Sequence, residues 1–176
     1  MGELVVGSLC SGYGGLDMAV EDVFPNSRLA WYAQWEPPDS KTGKPDTNQY
    51  AAQIMASHWP GVPNLGNISA IDYTQVEPVN LLIAGFPCQP ISDAGLRKGV
   101  DDDRWLWPQV ARAIGALRPA LVLLENVAAL VRRGLEIVLA DLAALGFDAE
   151  WECVRASDVG APHPRNRIFL LAWPTS

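Results

Sequence analysis

Apolar positions along the chain switch repeatedly between two periods. ELVVGSLC (3–10) is a β-branched, apolar run that ends in the glycine-rich turn SGYGG, and LDMAVEDVF then repeats at helical spacing. This is a strand, a turn and a helix. RLAWYAQWE (28–36) reads as a second strand ending in an acid, followed by the polar surface loop PPDSKTGKPD. NQYAAQIMASHW (48–59) suits a helix, PNLGNISAI contains a short third strand, and VNLLIAGF is a fourth. RWLWPQVARAIGAL (104–117) is helical, ALVLLENV (120–127) is a fifth strand, and GLEIVLADLAALG (134–146) is a helix closed by Gly146. DAEWECVRA and RIFLLAW complete the pattern as two more strands. Strands alternating with helices predict an α/β fold, with a mostly parallel sheet, helices on both faces and an antiparallel pair at the end.

Ligands of such sheets bind at the carboxyl ends of the strands. The unusual residues of this chain fall at those ends: SGYGG, Glu36, GFPC and Glu125-Asn126. Four separate segments therefore converge on one rim.

Composition narrows the class. With 176 residues, 49% of them hydrophobic and 19% charged, the chain has apolar material for one substantial core. The expected organisation is a single domain over 1–176. No run approaches the roughly 18 apolar residues of a membrane span, and an acid stands where a signal peptide needs basic residues. A soluble, intracellular, cytoplasmic protein with no membrane partner is expected. The 3 cysteines, Cys10, Cys88 and Cys153, form no CxxC pair, and with only 2 histidines no metal site is expected. A net charge of −7 gives the whole chain no footprint for a polyanion, so a nucleic-acid role must rest on a local patch such as Arg155, Arg165 and Arg167 or on a segment outside the chain.

Each candidate motif has a plain reading and a chemical one. SGYGG is a tight structural turn, or a turn that lets a ligand approach the backbone at a helix N-terminus. Glu36 is a solvated strand-end acid, or a carboxylate that accepts hydrogen bonds from ribose hydroxyls. The chemical readings together imply a nucleoside-containing cofactor. Cys10 and Cys153 read as structural thiols hidden inside regular elements, whereas Cys88 follows a strand in a loop stiffened by Pro87 and Pro90. That placement suits a rigidly held nucleophile, the alternative being a tolerated loop thiol. Glu125 and Asn126 interrupt an apolar run, so Glu125 is either a strand-end cap or a desolvated acid able to give a proton to a ring nitrogen. Arg165 and Arg167, two apart at the start of a strand, point to one face as a clamp for a phosphate or a base carbonyl, or as an exposed edge pair.

In order, SLCSGYGG, Glu36, GNIS, GFPCQPIS, ENV and HPRNRIF resemble the motifs of the cytosine-5 DNA methyltransferases, and the match runs from Leu4 to Trp173. The resemblance implies a Rossmann-like S-adenosylmethionine-dependent methyltransferase fold, with a cofactor half at about 1–84 and a catalytic and target-cytosine half at about 85–176. It implies S-adenosylmethionine as cofactor, S-adenosylhomocysteine as product, no metal, and DNA as partner, with the target cytosine flipped into the rim pocket. Cofactor contacts would come from Leu9, Cys10, Ser11, Gly12, Gly14, Gly15, Glu36, Asn67, Ile68, Gly85, Pro87 and Leu106. Cys88 would attack C6, Glu125 would donate to N3, Arg167 would hold O2, Arg165 a phosphate, and Asn126 would buttress the site. Residues 91–104 correspond to the family's mobile loop, with Gly95 and Gly99 as hinges, and Gln89, Ser92, Gly95 and Arg97 would face the substrate.

Three positions depart from the family pattern. Cys10 stands where an aromatic residue usually faces the adenine, a role Trp35 can take; Asn67 replaces an Asp; and His163 replaces a Gln. The loop 37–47 is longer than the pattern expects. The family's target-recognition domain and closing motifs are absent from the chain, which implies either a compact form or part of a split or truncated protein, with a separate target-recognition or complementing chain as a candidate partner. A tRNA cytosine methyltransferase of the same fold and an inactive subunit remain alternatives. A prokaryotic or phage-like setting, with restriction-modification as one role, is expected.

Overall fold

The computed structural model describes residues 2–39, 42–87 and 105–175. Six strands form one sheet: β1 (Leu4–Leu9), β2 (Ser27–Ala33), β3 (Leu81–Ala84), β4 (Leu121–Val127), β5 (Phe147–Arg155) and β6 (Asn166–Pro174), in the order β2-β1-β3-β4-β6-β5. Pairings among β1 to β4 are parallel, and β6 runs antiparallel to both β4 and β5. The α/β class, the mostly parallel sheet and the antiparallel end match the periodicity.

Helices cover the sheet unevenly. α1 (Gly15–Val23) and α2 (Tyr50–His58) place Val20 and Met55 against Val6, Leu29, Leu81 and Ile83 on one face. α3 (Trp107–Leu117), the short α4 (Leu130–Arg133) and α5 (Leu135–Ala144) bury Val110, Ile114, Leu135, Val138 and Leu142 against Val122, Leu124, Ile168 and Leu170 on the other. β3 is apolar throughout because both its faces are buried. β6 instead alternates: Ile168, Leu170 and Ala172 are buried, while Phe169 and Trp173 are half-buried and Leu171 is 42% exposed. Opposite that open row, the edge strand β5 carries Asp148, Glu150 and Glu152, paired with Trp173, Leu171 and Phe169. Charges on an edge strand oppose unwanted strand pairing. Among the described residues, no helix is long and apolar enough to cross a membrane.

Three expectations change. The third strand in PNLGNISAI is a single bridge between Asn64 and Tyr32, and the rest of that stretch is irregular apart from a turn at 68–70. β2 ends at Ala33, short of Glu36, because the next backbone groups bond to a side chain: Gln34 N donates to Asn64 Oδ1 at 3.0 Å, and Asn64 Nδ2 donates to the Gln34 carbonyl at 3.1 Å. A carboxamide has replaced a strand's ladder. α4 was not visible in the periodicity, being one turn long.

Candidate active site at the sheet rim

Beyond β1 the chain turns sharply. Cys10 and Gly12 have φ of 52° and 57°, Gly14 has φ of 80°, and the Gly14 amide closes the turn on the Ser11 carbonyl at 3.0 Å. Cys10 is therefore a wall residue in left-handed backbone, outside the strand where the sequence placed it. Burial pushes its thiol up to about 12, so it stays protonated and unreactive near neutral pH. Ser8 and Ser11 hydroxyls share a 2.7 Å hydrogen bond beneath the turn. The Gly12 amide donates to Gln34 Oε1 at 2.8 Å, which fastens the turn to the end of β2. Gln34 and Asn64 were missed in the sequence; the only signal was a polar residue closing an apolar run.

These segments enclose a cavity of about 450 Å³, walled by Cys10, Gly12, Gln34, Trp35, Pro37, Gly66 to Ser69, Gly85, Pro87 and Leu106. Leu9, Ser11, Gly14 and Gly15 do not line it: Leu9 ends β1, Ser11 and Gly14 lie in the turn, and Gly15 opens α1. Trp35 is 44% exposed, an aromatic face available at the mouth. Asn67 uses its Oδ1 locally, accepting from the Ser69 amide at 3.0 Å. Glu36 lies between the lining residues Trp35 and Pro37 and points toward α2, where its Oε1 accepts from the Ala51 amide at 3.4 Å. Its Oε2 is buried with no hydrogen-bond partner among the described residues. The plain reading of Glu36, a solvated strand-end acid, does not describe it: it lies beyond β2, one oxygen accepts from the first turn of α2, and the other is buried and unsatisfied.

At the end of β4 the second cluster forms. Arg167 Nε lies 2.7 Å from Glu125 Oε1. The register places Val127 opposite Arg167, so Glu125 and Arg167 stand diagonally on one face of the antiparallel pair. The sequence left Glu125 as a strand-end cap or a desolvated acid; its side chain is 26% exposed and its partner is the Arg167 guanidinium. Asn126 points to the other face, buried, donating to the Phe86 carbonyl at 3.1 Å and accepting from the Val127 amide at 2.8 Å. A side chain added at Gly85 would lie 3.6 Å from Glu125 Oε2, so β3's end and β4's end are in near contact. Phe86 packs edge-on against Trp105 at 5.8 Å and tilted against Trp107 at 5.9 Å, joining the residues on either side of 88–104. Cys88, Gln89, Ser92, Gly95, Gly99 and Arg97 lie outside the described residues.

Arg165 does not share a strand with Arg167. It precedes β6 with φ of 22°, and it is exposed. Left-handed backbone at Arg165 breaks the alternation on which the same-face expectation rested.

A family model described as C-5 cytosine-specific DNA methylase matches residues 4–175. The chain belongs to that family. The type II methyltransferase M.NlaX of Neisseria lactamica is 32% identical over 170 residues, covering 94% of this chain and 50% of the relative. M.BsuFI of Bacillus subtilis is 28% identical, covering 94% of this chain and 38% of its own. Among solved structures, the S. pombe Dnmt2 methyltransferase superposes with a TM-score of 0.76 at 19% identity, covering 99% of this chain and 52% of that one. The Entamoeba histolytica methyltransferase EhMeth gives 0.73 at 19% identity, covering 100% and 54%. This methylase chain spans half or less of the two curated relatives' lengths.

Proposed function

We propose that the chain is the catalytic part of a DNA cytosine-5 methyltransferase that uses S-adenosylmethionine. The observation that carries this reading is the Glu125–Arg167 pair at the end of β4, in near contact with Gly85 and so beside the segment leading to Cys88. Cytosine presents N3 and O2 side by side, and this carboxyl and guanidinium match that edge. The cavity fits the cofactor on two counts. Glycine backbone forms its turn, and the orphaned Glu36 Oε2 is a buried acceptor at the edge of the lining, suited to a ribose hydroxyl. We assign adenosine to the wall formed by Trp35, Asn67 and Ile68.

When bound, S-adenosylmethionine supplies an electrophilic methyl group. The chain's residues make the carbon that accepts it. Cys88, as the thiolate, bonds to C6 of the flipped cytosine, and the electrons of the C5–C6 double bond become available at C5. Glu125 brings a proton to N3 as that charge develops, and Arg167 turns from the carboxylate to O2. After C5 gains the methyl group, its proton passes to water, the C5–C6 double bond reforms as the C6–S bond breaks and Cys88 leaves as the thiolate, and N3 returns its proton to Glu125. Asn126 holds the Phe86 carbonyl two residues before the thiol, which keeps the attack geometry. We place the reaction in the cytoplasm of a bacterial cell, where its DNA is.

We assign base reading to a segment outside residues 1–176, on this or a complementing chain. The open row Phe169, Leu171 and Trp173, flanked on the same face by Asp148, Glu150 and Glu152, suits one occupant, an amphipathic helix with a basic flank from that segment. The unmatched segment of M.NlaX, supplied as a separate chain, is the probe: binding that Leu171→Lys abolishes is expected, and binding indifferent to it overturns the assignment.

The catalytic reading is tested by covalent trapping with DNA containing 5-fluorocytosine. Fluorine cannot leave C5 as a proton does, so the thiol stays bonded to DNA. A denaturation-resistant adduct on the peptide bearing Cys88 is expected. An adduct formed only with 5-fluorocytosine RNA overturns the DNA assignment, and no adduct with either when the unmatched segment of M.NlaX is also present, while S-adenosylhomocysteine binds, overturns the catalytic reading.

A further inference from the structure

Arg112, on α3, does not line the cavity and has no part in the proposed reaction; it borders a shallow groove between α3 and α5. Its guanidinium is nevertheless committed. Nη1 donates to the Ile71 carbonyl at 2.9 Å, Nη2 to the Ile68 carbonyl at 2.7 Å, and Nε to Gln109 Oε1 at 3.1 Å. The group also stacks on Tyr73, 5.0 Å from the ring centroid, and the Tyr73 hydroxyl donates to that same Ile68 carbonyl at 3.5 Å.

The two carbonyls belong to a stretch with neither helix nor strand, and Gly66 to Ser69 within it form one wall of the cavity. The stretch's own bonds are short-range: Ala70 N to the Asn67 carbonyl at 2.9 Å, and Ser69 N to Asn67 Oδ1. At its start Leu65 N reaches the Tyr32 carbonyl at 2.7 Å, which ties the wall to β2. Arg112 is the polar tie at the other end. Burial of Ile68, Ile71 and Tyr73 pulls the stretch inward, but apolar contact has no direction. A rigid planar fork across two carbonyls sets how the peptide planes between them lie. Those planes carry Ser69 and the cavity side of Ile68.

We propose that Arg112 is a positioning residue for the cofactor's adenosine, holding the 66–69 wall in the shape that receives the ring. The proposal rests on the reading of the cavity as the S-adenosylmethionine site. Lysine could reach one carbonyl at a time and could not set the plane of both.

The test uses calorimetric titration of the full chain with S-adenosylhomocysteine and, separately, with adenosine. Arg112→Met keeps the stem on Tyr73 and removes the donors; affinity for both ligands should fall by a common factor, roughly tenfold. Arg112→Lys should recover part of the loss, and amide exchange at Ser69 and Ala70 should quicken in both variants while β1 and β3 stay protected. A variant that melts earlier but binds both ligands as the parent does overturns the proposal, because Arg112 would then serve stability alone. If Arg112→Met does not fold, Arg112→Lys decides: parental affinity with parental exchange overturns the proposal. A parent chain that binds neither ligand overturns the cavity reading itself, and the proposal falls with it.

Discussion

Asp17 stands in the first turn of α1, directly behind the glycine turn, and only 3% of its surface is exposed. Neither carboxylate oxygen has a partner at full hydrogen-bond geometry among the described residues; the Ser8 hydroxyl, bonded to Ser11, and the backbone N–H of Asp17 itself interact with the carboxylate only weakly. Burial raises the carboxyl from its ordinary 3.8 to about 6; Glu21 nearby adds to the rise, and the Ser8 hydroxyl offsets it only in part. The folded state therefore holds this proton to higher pH than the unfolded state does. Its contribution to stability is fully present below pH 3.8, is lost as pH rises toward about 6, and stays lost above that. At about 1.4 kcal/mol per pH unit, the whole window is worth about 3 kcal/mol, roughly half of it between pH 5 and 8. Asp17→Asn keeps the shape and removes the titration. Urea unfolding of both chains should show the parent losing about 1.5 kcal/mol relative to the variant between pH 5 and pH 8. Parallel pH profiles would refute the argument, because they would mean that Asp17 is solvated or paired in solution.

The glycine turn supplies a graded pair. A Cβ at Gly14 would lie 2.6 Å from the Trp59 ring at φ of 80°, whereas one at Gly12, φ of 57°, meets nothing within 4 Å. Gly14→Ala should cost about 2 kcal/mol or more and Gly12→Ala about 1, read from urea midpoints; equal costs would contradict the packing. Asn126→Ala strands the Phe86 carbonyl and the Val127 amide and should cost about 1–3 kcal/mol, with a smaller loss counting against the tether. Glu36→Gln keeps an acceptor for the Ala51 amide, so stability should change by less than about 1 kcal/mol while S-adenosylhomocysteine affinity falls roughly tenfold. Unchanged affinity in calorimetry would remove Glu36 from the cofactor site.

The order of strands and helices was legible in the chain because it depends on local period: LLIA has no polar face, FDAEWECVR alternates, and the α3 and α5 segments repeat at helical spacing. The convergence of SGYGG, Glu36, GFP and ENV on one rim followed from the parallel architecture, since every parallel strand delivers its carboxyl end to the same edge. What the linear chain withheld were partnerships between distant groups. Gln34 and Asn64 exchange backbone for side chain 30 residues apart, and Arg112 reaches carbonyls 41 and 44 residues away. Register, too, is tertiary: Glu125 meets Arg167 because β4 and β6 pair antiparallel with Val127 opposite Arg167, and Arg165, in left-handed backbone just before the strand, does not share its alternation. Periodicity is a property of neighbours in sequence. Side-chain pairing, burial and the charge environment of Asp17 depend on which surfaces meet, and only the packed structure decides that.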